Sequence, residues 1–416
     1  MSSVIPAAAS PPGAGAPREN VRVRTLAVFL AALGPMLTVP ALRKLLIEEH
    51  GATPAAVHMF VAAGMVGSAI GAPLVAAGAD RRGDHMRVAM VLAAVDALVG
   101  VVTSSHVPTA LLFALRPVHG LASMALLALL FGEFRRSRAD LVACAGGAMV
   151  AALAIGPAVG GMLTRLGPHV PFRAAALVSI LVAVVVASRR ASHEEAAQPI
   201  SVRAPSCTRP AFTSHGLLAP LVIVMTQRFA IGGLVTAFAI RARAVHGLSD
   251  AHVGACFSLL LVVFGASVFT LGRKLTGRAL AACLPAGAAL FGASFAALAV
   301  VPRPFLPLAL VGAGLGAALV YAPCLDLVSS AAPGGRRATS MALLHSAGAV
   351  GMILGPLFAA LLEAVLSDRS APQRCAAFMA FAGVLHAAVA IALSSRCRAI
   401  AAGSTNNVLN HERATS

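Results

Sequence analysis

The sequence predicts an all-α membrane protein of twelve transmembrane helices, arranged as two six-helix halves with both ends of the chain in the cytosol. Three observations carry this. Of 416 residues, 58% are hydrophobic and 11% charged, with a mean hydropathy of +0.86, whereas soluble proteins carry about 45–50% apolar and about 25% charged residues. The apolar residues are gathered in runs of the length a helix needs to cross a hydrocarbon core of about 30 Å. One long polar interruption, from Arg189 to His215, divides those runs six and six.

The elements follow from the punctuation between runs. Span one covers 25–42 and stops at Arg43-Lys44, and span two, 58–79, stops at the charged turn that begins with Asp80. Span three, 87–105, ends before His106 and Pro108; span four, 109–131, ends before Glu133. Span five, 139–164, lies between Arg138 and Arg165, and span six, 172–188, stops at Arg189-Arg190. In the second half, span seven covers 216–240 up to Arg241, and span eight covers 251–271 up to Arg273-Lys274. Span nine, 279–301, runs from Arg278 to Pro302, and span ten, 304–328, follows Arg303. Span eleven, 338–363, begins after Arg336-Arg337, and span twelve, 374–395, ends before Arg396. The organisation is then a tail at 1–24, a half at 25–188, a cytosolic linker at 189–215, a half at 216–395 and a cytosolic tail at 396–416. The first residues are rich in Ala, Pro, Ser and Gly without a basic stretch leading into an apolar one. They read as a disordered cytosolic tail and not as a cleaved signal.

The net charge of +17 becomes a statement about orientation. Nucleic-acid binding needs basic residues clustered on a soluble surface, yet Trp is absent, aromatics make up 5%, and Lys occurs only at Lys44 and Lys274. With the N-terminus in the cytosol, 21 of the 32 Lys and Arg residues fall on the cytosolic side and 9 outside, as the positive-inside rule requires. The two that remain, Arg116 and Arg228, lie within spans. The seven cysteines sit singly without metal or redox spacing, and no metal site or cofactor is expected.

The halves are related to each other. An offset of 199 places Gly156-Pro157 on Gly355-Pro356 and Arg138-Ala139 on Arg337-Ala338. A shift of 194 places Gly78 and Gly83 on Gly272 and Gly277. Two parallel six-helix repeats enclosing a cavity at their interface are a transporter architecture.

Between spans two and three the chain reads Asp80-Arg81-Arg82-Gly83, with Arg87 beyond, where Asp84 and His85 follow the glycine. Span four carries Arg116-Pro-Val-His119-Gly120, and span five carries Gly156-Pro157-Ala-Val-Gly160-Gly161, preceded by Ala143 and Ala152. Span one has Leu33-Gly34 and then Pro40. Together, in this order, these segments resemble the signatures of the major facilitator superfamily, and span five resembles the Gly-Pro-x-x-Gly-Gly signature of its twelve-span drug:proton antiporters. The sequence departs from the family at Asp84 and His85, where two basic residues are usual, and at Ala143 and Ala152, where glycines are usual. The resemblance implies a gating loop in which Asp80, with Arg81, Gly83 and Arg87, meets the N-terminal end of span eleven at Arg337. On local evidence alone, a tight basic turn would explain the same residues. In span five, Pro157 kinks the helix and the glycines admit a close neighbour.

The resemblance places spans one, four, seven and ten around the cavity. Thr38, Arg116, His119, Gln227, Arg228 and Tyr321 then become substrate-binding candidates, with Met36 beside Thr38. A charge within a span is by default a functional-site hypothesis; the bland alternative has Arg116 bonded to carbonyls and packing its half. Two arginines without a counter-charge on these four spans imply a cavity suited to a neutral or anionic organic molecule, unless Asp96 of span three neutralises Arg116. Asp96 is the proton-coupling candidate, because burial raises a carboxylate pKa and a nearby Arg lowers it. A permanently paired structural Asp96 is the alternative. His119 titrates in the useful range or simply packs. Asp326 and His345 are expected to form an inner-gate pair, and His386 reads as packing.

No Walker sequence, His-Glu-x-x-His helix or Gly-x-Ser-x-Gly elbow is present, so enzyme chemistry finds no support. The expected function is a secondary transporter exporting a small organic compound against protons by alternating access, with no cofactor beyond the proton gradient. It is expected as a monomer in the bilayer of a bacterial inner (plasma) membrane, with a small-molecule substrate and no nucleic-acid partner. The alternatives are a sugar or metabolite facilitator or uptake permease, or a non-transporting membrane sensor.

Overall fold

The computed structural model describes residues 19–42, 44–52, 54–134, 141–196, 215–248, 250–332 and 337–415. The expected tail at 1–18, the repeat residues Arg138 and Ala139, and linker residues 197–214 lie outside them.

The described residues fold into helices without strands, and twelve of those helices are long and apolar enough to cross a membrane. A bilayer core offers no hydrogen-bond partners to the backbone, so a spanning segment must satisfy its own N–H and C=O groups, which an α-helix does. The first half holds α1 (Glu19–Thr38), α2 (Pro54–Arg82), α3 (His85–Thr103), α4 (Thr109–Gly132), α5 (Gly147–Thr164) and α6 (Val170–Ala196). The second half holds α7 (His215–His246), α8 (Asp250–Lys274), α9 (Gly277–Ala282 and Leu284–Ala297), α10 (Leu306–Ala331), α11 (Arg337–Val365) and α12 (Ala371–Thr415). The two parts of α9 meet at Cys283, just before Pro285, whose missing N–H interrupts the helical ladder.

Every expected span is present, and the differences lie at ends. Helix α1 starts at Glu19 rather than 25, so residues 19–24, expected in the tail, are helical. No helix breaker separates Glu19 from Leu26, and the Arg24 guanidinium, in the second turn, ties the start of the helix to the Glu133 carbonyl at 2.8 Å. Helix α12 continues past 395 to Thr415. Before α2, Lys44–Glu49 forms a short helical turn that buries Leu45 and Leu46 in a second apolar cluster with Leu42, Phe60, Leu112 and Phe172. A large apolar side chain that faces outward, such as Leu74, Leu98, Met162, Leu177, Leu308 or Val384, is exposed on the bundle surface. The interior is rich in small residues, which let helix backbones approach in the absence of a strong hydrophobic drive between spans.

Glycines mark those approaches. A Cβ at Gly120 of α4 would collide with the Gly64 carbonyl of α2, and one at Gly355 of α11 with the Phe229 carbonyl of α7. Gly156 and Gly160 of α5 face Met36 and Leu37 of α1 in the same way, while Gly161 meets only Pro40 at 4.0 Å. The internal repeat appears in the turns: Gly83 and Gly277, matched by the offset of 194, both adopt left-handed backbone, at φ +71° and +54°, where a side chain would strain the turn.

The halves meet at the end that carries the Asp80 turn. Gly132 of α4 abuts Ala338 of α11, with a Cβ position 3.2 Å from its Cα, and Gly272 of α8 abuts Ala143 and Val142 before α5. Deeper in, the Ser346 hydroxyl donates to the Ser68 carbonyl at 3.4 Å.

Candidate functional site

Three polar groupings stand out, and the first is the turn after α2. The Asp84 carboxylate caps α3 by accepting from the Arg87 N–H at 3.2 Å, and it pairs with the Arg87 guanidinium at 3.4 Å. Asp80 reaches across to the other half. Its Oδ2 accepts from the Thr339 N–H at 2.8 Å and from the Thr339 hydroxyl at 2.5 Å. Its Oδ1 lies 2.7 Å from His85 Nε2. Thr339 is in the first turn of α11, so the carboxylate sits where the helix presents free N–H groups and positive potential. The partner Asp80 finds on α11 is thus Thr339, while Arg337 donates to the Phe134 carbonyl at 3.4 Å. Arg81 is exposed at the end of α2.

The second grouping is inside the first half. Asp96 on α3 is 5% exposed. Its Oδ2 accepts from the Ser179 hydroxyl of α6 at 2.6 Å. Its Oδ1 is 2.8 Å from His119 Nδ1 of α4, without the alignment of a hydrogen bond. Arg116 lies one turn earlier on α4, within electrostatic reach of Asp96, with its guanidinium carbon 5.0 Å from the centre of the Phe60 ring. Its Nε is buried without a hydrogen-bond partner. Gly64 makes room for it, since a Cβ there would lie 2.9 Å from that Nε. Thr38, Phe60, Asp96, Arg116 and His119 line a cavity of about 20 Å³, enough for one water molecule. The Thr38 hydroxyl bonds within its own helix, to the Pro35 carbonyl at 2.8 Å.

The third grouping is in the second half. Arg228 of α7 is half-buried, with its guanidinium carbon 5.6 Å from the Tyr321 ring centre on α10. Among the described residues, no carboxylate lies within ion-pair range of it. The buried Tyr321 hydroxyl donates to the Met149 sulfur of α5 at 3.8 Å, and so joins the halves. Gln227 is fully buried and donates from Nε2 to the Ala317 carbonyl of α10 at 3.0 Å. It points into its own half, which does not fit the expected substrate contact. The expected Asp326–His345 pair is not formed. Asp326 accepts from the Gly277 N–H at 3.1 Å in the turn before α9, and the His345 ring meets the Phe131 edge at 5.3 Å. Each side chain is drawn to a backbone or ring neighbour nearer its own end of the helix. His386 packs on Phe291 and bonds Thr226 at 3.0 Å.

Outside these groupings, an apolar groove of about 1060 Å³ runs between α1, α5 and α8, with Phe29, Ile155, Val262 and Phe269 along it and Arg22 and Arg273 at one end.

Sequence reading placed Thr38, Arg116, His119, Gln227, Arg228 and Tyr321 around one cavity with Asp96 able to answer Arg116; the structure gathers Asp96, Arg116 and His119 in one half and sets Arg228 beside Tyr321 in the other. The sequence reading missed Ser179, Phe60, Gly64, Thr339 and Met149. Ser179 had a signal, being a hydroxyl inside an otherwise apolar run; the others are chosen by helix packing alone.

The sequence profile of the Major Facilitator Superfamily matches residues 25–356. No curated relative matches the chain at the level of sequence. Among solved structures, the chain is similar to the human organic anion transporter MFSD10 (TETRAN), with a TM-score of 0.73 and 19% identity, covering 90% of this chain and 99% of that one. At that identity, the likeness concerns the fold.

Proposed function

Because the chain belongs to the Major Facilitator Superfamily, we propose that it is a secondary transporter that exports an organic anion or neutral organic compound in exchange for protons, by alternating access between its two halves. The observation that carries this is the unequal state of the two buried arginines. Arg116 has Asp96 within reach, whereas Arg228 stands half-buried beside Tyr321 with, among the described residues, no carboxylate in range. A cation kept in a low-dielectric site needs an anionic or strongly dipolar partner, and a substrate supplies it. The solved neighbour described as an organic anion transporter agrees with that sign of charge.

Coupling is assigned to the first half. Asp96 is a buried carboxylate with an imidazole 2.8 Å from one oxygen and a hydroxyl 2.6 Å from the other. A proton on Asp96 removes the attraction to Arg116; its departure restores it. Such a change biases the packing of α3 against α4, which is how a proton can favour one orientation of the halves. The end held by Asp80 is assigned to the cytosol by the distribution of Lys and Arg. The protein works as a monomer in a bacterial inner membrane, with the proton gradient as its energy source and no cofactor.

A facilitator or uptake permease is the second reading, favoured by the contacts that occupy both oxygens of Asp96 and would suit a fixed structural pair. Flux into proteoliposomes under an imposed pH gradient, with anionic, neutral and cationic probes, tests both. Gradient-driven movement of anions supports antiport. Movement unaffected by an uncoupler supports the facilitator, and binding without flux supports a sensor.

A further inference from the structure

At the end of the first half opposite Asp80, three inter-helix connections converge. Glu49 ends the turn between α1 and α2, His106 lies between α3 and α4, and His169 lies between α5 and α6. Their ligand-type atoms all lie within 4.8 Å of one another. Glu49 Oε2 is 2.5 Å from His169 Nε2, and the His106 ring stands edge-on to the His169 ring at 4.8 Å between centres. His169 is largely buried, with its side chain 12% exposed, and neither ring nitrogen has an aligned hydrogen-bond partner. Glu49 and His106 are exposed, so the group opens to water on one side.

We propose that Glu49, His106 and His169 bind a borderline divalent transition-metal ion of the Zn2+ type. The donor set decides the class of ion. Two imidazoles and one carboxylate suit Zn2+, Ni2+ or Cu2+, whereas Mg2+ and Ca2+ prefer all-oxygen cages. Three protein ligands leave a fourth position for water. Ligands at about 2.0–2.1 Å in a tetrahedral site stand roughly 3.3 Å apart. The trio therefore closes from 4.8 Å by side-chain rotation, while the Glu49–His169 pair opens slightly. The buried His169 is the fixed member, packed beside the apolar cluster that contains its neighbour Phe172. The bound ion ties together all three connections at this end of the first half, without touching either buried arginine.

The sequence could not announce this site, because its three ligands come from separate connections and share no local spacing. A simple Glu49–His169 ion pair with His106 packed edge-on is the competing account, and it gives the trio no reason to prefer a metal.

The test uses the purified full-length protein in nanodiscs, with Zn2+ as probe and Mg2+ as control. Expected are one Zn2+ per chain by calorimetry and metal analysis, a rise in melting temperature with Zn2+ and not with Mg2+, and the visible bands of a tetrahedral site when Co2+ is substituted. Glu49→Gln and His106→Ala change exposed groups and leave the fold intact; each is expected to weaken Zn2+ binding roughly tenfold or more and to abolish the Co2+ bands. Absence of stoichiometric Zn2+ binding to the folded protein overturns the proposal. So does binding that is unchanged in the Glu49→Gln, His106→Ala double variant.

Discussion

Replacing Asp80 by Ala removes a carboxylate from the N-terminal turn of α11 in the opposite half of the molecule. The structure sets the magnitude. Two hydrogen bonds to one charged acceptor are lost, from the Thr339 N–H at 2.8 Å and the Thr339 hydroxyl at 2.5 Å, together with an attraction to the helix dipole. A bond to a charged group contributes about 1.5–3 kcal/mol and the dipole about 0.3–1 kcal/mol near the surface. The two bonds share one carboxylate and do not add fully, so roughly 2–4 kcal/mol is expected for the latch as a unit. These contacts cross between the halves and depend on their closure at this end. Their loss lowers the closed state relative population roughly 30- to 700-fold, at 1.4 kcal/mol per factor of ten.

The assay is the distance across that end, read by paired spin labels or fluorophores on the exposed faces of α3 and α12 in nanodiscs. Wild type is expected to be mainly closed there and Asp80→Ala mainly open. Asp80→Asn keeps an acceptor for the Thr339 N–H but loses the charge, and falls between them. Identical distance distributions for wild type and Asp80→Ala, with both proteins folded, would refute the latch. An equal opening produced by His85→Ala alone would move the latch from the helix terminus to the Asp80–His85 contact.

Asp96→Asn keeps the shape and the Ser179 contact but cannot cycle a proton; gradient-driven flux is expected to vanish while substrate binding, measured by calorimetry, stays within about twofold. Retained pumping would remove Asp96 from coupling. Arg228→Ala is expected to weaken anion binding roughly ten- to a hundredfold, the loss of one charge-assisted bond, and to leave neutral compounds unaffected; equal loss for every probe charge would overturn the anion reading. Gly120→Ala sets a methyl group against the Gly64 carbonyl and is expected to destabilise the fold by about 1–3 kcal/mol, seen as a lower melting temperature with and without a pH gradient. An unchanged melting temperature would show that α2 and α4 can separate freely there.

What was legible in the sequence follows from what a bilayer demands. Span length, apolar composition and the placement of Arg and Lys are one-dimensional constraints, so all twelve helices were readable and most of their ends fell close, while α12 continues well past 395 to Thr415. The turn at Gly83 was readable because a charged break between two apolar runs leaves the chain few choices. The start of α1 was misplaced because Arg22 and Arg24 look like tail charges until the Glu133 carbonyl is found 2.8 Å from Arg24. Side-chain pairing was less legible. The Asp326–His345 pair was inferred from two polar residues near one end of the bundle. Yet helix rotation decides which way a side chain points, and Asp326 turns to the Gly277 N–H within its own half.

Arg116 and Arg228 show how far this difference reaches. In the sequence they are alike, each a single arginine within an apolar run. In the fold, Arg116 faces inward between α2 and α4, where Gly64 leaves it space and Asp96 answers its charge. Arg228 lies where Gly348 of α11 leaves space on the other half, beside a tyrosine whose hydroxyl reaches Met149 across the interface. In the proposed mechanism, a proton arriving at Asp96 acts on the first arginine, and a substrate anion meets the second. In that mechanism the two events are joined through packing between the halves, and the Tyr321–Met149 contact, like Ser346–Ser68, is one through which one event can bias the other. Tyr321→Phe removes that hydroxyl and keeps the ring over Arg228. If coupling passes through the contact, the variant binds anions normally and transports them with a weakened dependence on the proton gradient.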